Sequence, residues 1–414
     1  MSKLQPVRGT RDLLPEDCRR HRAIGDTARA IAERYGFGEI VTPIFEFTEV
    51  FQRTLGETSD IVTKEMYTFP DRGGEMLTLR PENTAGVARA FISGGLGQMQ
   101  PLKFFYAGPM FRHERPQKGR LRQFHQIGVE LIGVPEPLGD VEVIALGAHI
   151  LEVLGVLGKT TLEINTLGDA ESRNAYRAAL LEFLRARRDK LSAESQERLE
   201  RNPMRVLDSK DEGDRRIVAE APRNTDYLTP AAAEFFKRVT GGLEALGVRY
   251  QINPFLVRGL DYYCHSAFEF TTTELGAQSA VLAGGRYDGL IETMGGPPTP
   301  GVGWAAGIER LAMLIAEPAA PVRPVAIVPI GPAAEAVALN LAHELRHAGV
   351  TVELGYRGNL SKRMKHADKV KARAAIIIGD DELAKNAVML RDLDSGVQEL
   401  IERARLIERL APRT

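Results

Sequence analysis

Residues 111–130 read FRHERPQKGRLRQFHQIGVE. Two extended segments flank a loop that holds Pro116 and Gly119, and the loop's charge is one-sided. Arg112, Arg115, Lys118, Arg120 and Arg122 stand against Glu114 as the single acid among them. The whole chain carries 54 Lys and Arg and 55 Asp and Glu, so the excess is local. Several guanidiniums aimed from a hairpin suit a polyphosphate, because each makes planar, charge-assisted hydrogen bonds. Such bonds contribute about 1.5–3 kcal/mol each, so two or three can hold a nucleoside triphosphate. The competing reading is a solvated turn with scattered arginines. In the strand that follows, Arg122, Phe124, Gln126, Gly128 and Glu130 share one face, and Gln123, His125, Ile127 and Val129 the other. An amide and a carboxylate are odd for a core, and Gly128 leaves space between them. The expectation is a polar cleft open to a small zwitterion, set against a plain solvent-facing sheet surface.

Working outward, residues 102–130 read as two strands joined by the basic loop. Upstream, Pro15, Glu16 and Asp17 mark a helix start, with a stop at Gly36. The segment EIVTPIFEFTEVF (39–51) is β-rich and broken by Pro43, which suggests an edge, a bulge or a subunit boundary. MYTFPDRGGEMLTLRPE (66–82) reads as a hairpin around residues 71–74, followed by a helix from Asn83 or Thr84 to Ile92. Residues 140–155 read as a helix. Residues 171–245 turn into long charged helical stretches, a helical insertion inside a mainly β core. Strand character returns with RYQINPFLVRGLDYY, SAFEFTTT and AVLAGG. EPAAPVRP (317–324) is a linker by composition. Beyond it, strands alternate with helices, including a basic helix near 360–372, which predicts a small α/β domain with a largely parallel sheet.

Three further clusters stand out. In LVRGLDYY (256–263), Arg258 precedes Asp261 and the tandem Tyr262 and Tyr263. In a strand these tyrosines face opposite ways, so one lines a pocket and the other packs; a buried hydroxyl needs a partner. AGGRYDGL (283–290) places Tyr287 after two glycines that permit close backbone approach. GVGWAAGIERL (301–311) loosely fits a dinucleotide fingerprint, but it follows PPTP and precedes a linker. It reads instead as a glycine-rich strand entering a helix, with Arg310 in the first turn. A cation there opposes the helix dipole, which makes sense if Arg310 serves a ligand. There is no Walker loop and no HExxH, since Gln117 stands where the second histidine belongs.

Composition bounds the classes. At 414 residues, 43% hydrophobic and 26% charged, the chain is an ordinary globular protein of several domains. A net charge of −1 leaves nucleic-acid binding to local patches. Cys18 and Cys264 form no metal-ligand spacing, so no metal-ligating set is expected and a reducing cytoplasm is the simple reading. The N-terminus lacks a secretory h-region, and no apolar run reaches the roughly 18 residues of a membrane span.

Together these clusters resemble class II aminoacyl-tRNA synthetases, and specifically histidyl-tRNA synthetases, along the full length. VRGTRDLLP and IVTPIFE look like the N-terminal segment and the dimer-interface motif 1. FRHERPQKGRLRQFHQIGVE resembles motif 2 and GVGWAAGIERL motif 3. RGLDYY and AGGRYDGL resemble the histidine-specific signatures. The resemblance implies an α+β catalytic domain on a mostly antiparallel sheet with flanking helices over residues 1–320. It further implies a C-terminal α/β anticodon-binding domain over 325–414, and a homodimer. It implies ATP-dependent formation of histidyl-adenylate and transfer of histidine to the 3′ end of tRNA(His), with Mg²⁺ as helper ion.

Residue by residue, Glu82 and Thr84 of LRPENT match residues that hold the α-amino group, with Asn83 between them. Arg112 matches the arginine bridging carboxylate and α-phosphate, and Arg258 the additional catalytic arginine. Arg120 and Arg310 match arginines at the outer phosphates. Gln126, Glu130, Tyr262, Tyr263 and Tyr287 match the histidine pocket, where Glu130 and Tyr263 read the imidazole. Lys362, Arg363 and Lys365, continued by Lys369, Lys371 and Arg373, give a basic helix suited to the anticodon stem; its alternative is a solvated helix face. One rival is a catalytically inactive, synthetase-like regulatory subunit of histidine biosynthesis, which typically has eroded signatures and no C-terminal domain. Another is a class II synthetase for proline or threonine.

Overall fold

The structure is a computed structural model that describes residues 3–55, 61–117, 119–258, 262–276 and 280–411. Lys118 and Asp261, singled out in the sequence, lie outside the described residues. The chain divides into two compact units, Met1–Pro318 and Ala319–Thr414.

The first unit is built on an eight-stranded sheet. Its six central strands follow the spatial order Leu102–Phe111, Gln123–Ile132, Gly301–Gly307, Ala280–Arg286, Cys264–Thr271 and Thr161–Thr166, antiparallel throughout. Short parallel strands, Gly38–Glu39 and Gln251–Ile252, close the two edges. The hairpin register runs from Leu102 opposite Ile132 to Phe111 opposite Gln123, which puts the basic loop at its tip.

Alternation sorts the two faces. Ile127, Val129, Leu131, Trp304, Phe268 and Phe270 are buried in the main core. Against them pack Ile24, Ala28 and Ile31 of the helix Pro15–Arg34, and Ile144 and Leu151 of Pro137–Val153. Each fully buried side chain of this size contributes about 1.5–3 kcal/mol. Trp304 also donates its indole N–H to Val143 O at 2.9 Å. On the opposite face, Tyr106, Tyr263 and Tyr287 pack with Val87, Phe91 and Ile291.

The helix Pro15–Arg34 begins on proline with Glu16 and Asp17 in its first turn, and Gly36 follows its end at φ 80°. The hairpin Tyr67–Pro70 and Met76–Leu79 pairs with Phe45–Phe47 in a separate three-stranded sheet, and Thr84–Ser93 follows as a helix. Two expectations are corrected. TEVF is the start of a helix, Thr48–Leu55, which buries Phe51 and Thr54, three residues apart on one face. Among its described residues, RYQINPFLVRGLDYY holds only the two-residue strand Gln251–Ile252. Pro254 cannot donate to a ladder, and the chain turns there, with Leu256 N–H donated to Asn253 O at 3.0 Å.

Between Thr161–Thr166 and Gln251–Ile252 lie four α-helices, Ala170–Arg185, Ala193–Arg201, Glu212–Val218 and Pro230–Ala245. Each is capped by a side-chain oxygen, from Asp169, Ser192, Asp211 and Thr229 in turn. Tyr176, Leu180, Leu184, Leu199 and Val206 form a small core of their own.

The second unit has a five-stranded sheet in the order Val352–Leu354, Val325–Pro329, Ala374–Ile378, Ala387–Asp392, Gln398–Glu402. The first three strands are parallel, but the last two join antiparallel. The turn between Asp392 and Gln398 is too short for the crossover that a parallel strand needs. The basic helix is Leu360–Lys369 and stops before Lys371 and Arg373. Arg363 is a correction. It is 5% exposed, its guanidinium donates to Pro329 O and sits 2.8 Å from Glu335, and it belongs to the fold rather than to the basic surface.

Candidate active site

A cavity of about 210 Å³ opens on the face of Gln123–Ile132 that carries Phe124 and Gln126. One end is walled by arginines from four segments. Arg112 directly follows the first hairpin strand, Arg120 sits in the loop, Arg258 precedes Cys264–Thr271, and Arg310 lies in the first turn of Ile308–Leu314. Burial lowers Arg112, Arg120 and Arg310 from the usual guanidinium range. Arg120 and Arg112 lower Arg310 further by repulsion. Like charges that face one space create a positive focus.

Each guanidinium is held in place. Arg112 donates Nε–H to Pro81 O at 2.8 Å and lies 5.3 Å from the Phe124 ring centre. Arg120 pairs with Glu114, which also stands 3.8 Å from Arg112. Arg258 pairs with Glu269 and lies 5.8 Å from the Tyr263 ring centre. Arg310 donates to Gly119 O at 3.4 Å and to Ala280 O. Sequence reasoning gave Glu114 and Glu269 no role. The signal for Glu269 was a lone carboxylate between Phe268 and Phe270, on a strand face where an apolar residue would otherwise pack.

The other end is acid, amide and phenol. Glu82, Thr84, Gln126, Tyr262, Tyr263 and Tyr287 line it. Glu82 accepts the backbone N–H groups of Thr84 at 2.6 Å and Ala85 at 2.9 Å, where the helix Thr84–Ser93 begins; burial raises its pKa. Gln126 Oε1 is buried with no hydrogen-bond partner among the described residues. Glu130, 1% exposed, is not in the cavity wall itself; it lies behind it, bonded to Thr84 and Tyr287, which are. It accepts Thr84 Oγ1–H at 2.7 Å, Tyr287 O–H at 2.5 Å and Tyr106 O–H at 3.5 Å. Burial pushes its pKa up to about 8, against the pull of those hydrogen bonds. Burial likewise raises Tyr262, Tyr263 and Tyr287, so all three are neutral hydroxyls near neutral pH.

Gly303 stands opposite Glu130 on the next strand, and a Cβ there would overlap Glu130 Oε2. Gly128 corrects an expectation. A Cβ at that position would overlap the Tyr106 ring, so the missing side chain makes room for tyrosine and not for a ligand. The tandem tyrosines are a second correction. They precede the strand instead of lying in it, both line the cavity, and their ring centres are 4.6 Å apart. Asn83 is a third. It is not in the cavity wall; its Oδ1 accepts from Thr42 Oγ1 at 2.7 Å and Arg80 at 3.1 Å, buttressing the turn from behind.

The cavity thus joins a polycationic wall, suited to phosphate, to a pocket that can grip an ammonium group and a polar ring. In the second unit, Lys362 and Lys365 are exposed on Leu360–Lys369.

Comparison with known proteins gives the family. A family model described as Histidyl-tRNA synthetase matches residues 9–311, and one described as Anticodon binding domain matches 324–413. A Histidine--tRNA ligase of Rhodospirillum rubrum is 67% identical over 413 residues, 99% of either chain. One of Gluconacetobacter diazotrophicus is 58% identical over 96% of each. The crystal structure of apo S. aureus histidyl-tRNA synthetase superposes with a TM-score of 0.82 at 36% identity, covering 99% of this chain and 100% of that one. Over nearly its whole length, the chain belongs to the histidyl-tRNA synthetase family.

Proposed function

We propose residue roles for the activity that family membership carries. The enzyme is a class II histidine–tRNA ligase: ATP and histidine give histidyl-adenylate and pyrophosphate, and the histidyl group then passes to tRNA(His). The observation that supports these roles is that four arginines and the acid–phenol pocket share one cavity.

Histidine enters with its imidazole toward Tyr263 and Glu130. Its ammonium group lies between Glu82, Thr84 and Gln126, whose buried Oε1 lacks a partner among the described residues. Arg112 and Arg258 straddle the carboxylate and the α-phosphate. Arg120 and Arg310 hold the outer phosphates. A carboxylate oxygen attacks the α-phosphorus in line, and the bond to the pyrophosphate oxygen breaks. No covalent enzyme intermediate is needed. Position and charge neutralisation carry the step, and Glu114 and Glu269 yield their arginines to the triphosphate. Glu114 and Glu269 are the cavity carboxylates that would hold a Mg²⁺ ion, and such an ion would supply further neutralisation of phosphate charge.

Lys362 and Lys365 contact the tRNA backbone through the second unit. The exposed apolar residues Phe45, Phe47, Phe69 and Met76 of the three-stranded sheet, with Val41 beside them, are covered by a second copy in a homodimer. Among the described residues no helix is long and apolar enough to cross a membrane, and a cytoplasmic location suits this reaction. The regulatory-subunit reading is disfavoured, since the full-length relatives are ligases and the catalytic arginines stand together.

Pyrophosphate exchange across all twenty amino acids tests the assignment. Signal is expected with histidine alone. Arg258→Ala should nearly abolish that exchange while histidine binding survives. Exchange near wild type would remove Arg258 from the chemistry.

A further inference from the structure

Three side chains outside the proposed chemistry meet where three elements join. His21 comes from the helix Pro15–Arg34, His125 from the strand Gln123–Ile132 and Glu309 from the first turn of Ile308–Leu314. The Glu309 carboxylate accepts the backbone N–H of His125, at 3.0 Å from each oxygen, and lies 2.9 Å from His125 Nδ1. The rings of His21 and His125 meet edge to face, with centres 5.2 Å apart. His21 Nε2 is buried and has no hydrogen-bond partner among the described residues. A polar nitrogen out of water with nothing to bond is costly, and such an atom calls for a partner. One ligand atom from each residue lies within 4.8 Å of the other two.

We infer that His21, His125 and Glu309 hold one divalent transition-metal ion of the zinc class, with water as the fourth ligand. Two imidazoles and a carboxylate form a known three-ligand set for zinc. Imidazole also selects such ions over Mg²⁺, which prefers oxygen alone. The ion is a brace. It ties the first helix to the strand that carries Gln126 and to the helix that carries Arg310, so it sets the spacing of two cavity walls without touching substrate. Glu309 also lines the cavity, but none of the three has a role in the proposed chemistry, and the test does not depend on activation.

The experiment uses the full chain, stripped with chelator and titrated with Zn²⁺ alone against a chromogenic competitor, with thermal unfolding in parallel. One equivalent is expected to bind and to raise Tm. His21→Ala should cost at least about tenfold in Zn²⁺ affinity and remove the Tm rise, as loss of a ligand does where even outer-shell changes cost 10–100-fold. The exposed pair His343 and His347, ring centres 4.3 Å apart on Pro332–His347, is the competing site. If His343→Ala abolishes binding and His21→Ala does not, the inference fails. It fails also if the wild-type chain takes up no equivalent. Co²⁺ added to the wild-type chain needs no variant: the strong visible bands of a four-coordinate ion support the site, and the weak spectrum of a six-coordinate ion overturns it.

Discussion

Glu130 shows how much one side chain can be asked to do. It is a carboxyl set behind the cavity among phenols and a threonine, and Gly303 leaves it only just enough room. Its folded pKa of about 8 stands above its unfolded value of 4.5, so folding favours the protonated form. That contribution is whole below pH 4.5 and is lost as pH climbs through about 8. Across this window, without substrates, wild type should lose stability relative to Glu130→Gln by denaturant titration. Parallel curves for the two proteins would show that the carboxyl ionises freely. Gly303→Ala should crowd the same oxygen. We expect about 1–3 kcal/mol of destabilisation and a raised KM for histidine with a smaller change in KM for ATP. The arginines were legible in sequence because their excess breaks an otherwise balanced composition. Their counter-ions were not. Glu114 has no spacing to announce it and Glu269 only its place between two phenylalanines, and the folded arrangement is what sets them beside Arg120 and Arg258.

Among the elements, the basic loop was readable because strand alternation is strict: Gln126 and Glu130 share a face in the structure as they do on paper. The tandem tyrosines were misread for the same reason. Alternation holds only inside a strand, and Pro254 ends that strand early. The helix Thr48–Leu55 hid behind β-branched and aromatic residues whose local preference yields to the burial of Phe51. The basic helix Leu360–Lys369 was found by its charge, yet charge does not say which way a side chain turns. Arg363 turns inward and Lys362 and Lys365 turn outward. Replacing both lysines with alanine should weaken tRNA binding and reduce the slope of log affinity against log salt by about 1–2, leaving pyrophosphate exchange untouched. An unchanged slope would mean that this helix face meets only water.

For the whole molecule, the order of parts was legible because each announces itself: charged helices between strand-rich segments, then a proline-rich stretch before alternating strands and helices. Assembly is written less clearly. In sequence, Pro43 left an edge, a bulge or a subunit boundary open and IVTPIFE resembled an interface motif; in the structure Phe45 is 49% and Phe47 53% exposed, an apolar surface of the kind that a partner covers. Phe47→Asp should shift the sedimentation of the full chain toward a monomer and depress aminoacylation in step. A dimer that persists would place the contact elsewhere.

Trp304 is the sole tryptophan of the chain, and it stands in the strand behind the cavity, one residue from Gly303. Its indole is shielded from solvent and anchored at its nitrogen. The protein therefore carries a built-in optical reporter beside its reaction chamber. Changes in its emission can follow the arrival of each substrate in real time, with no dye and no label.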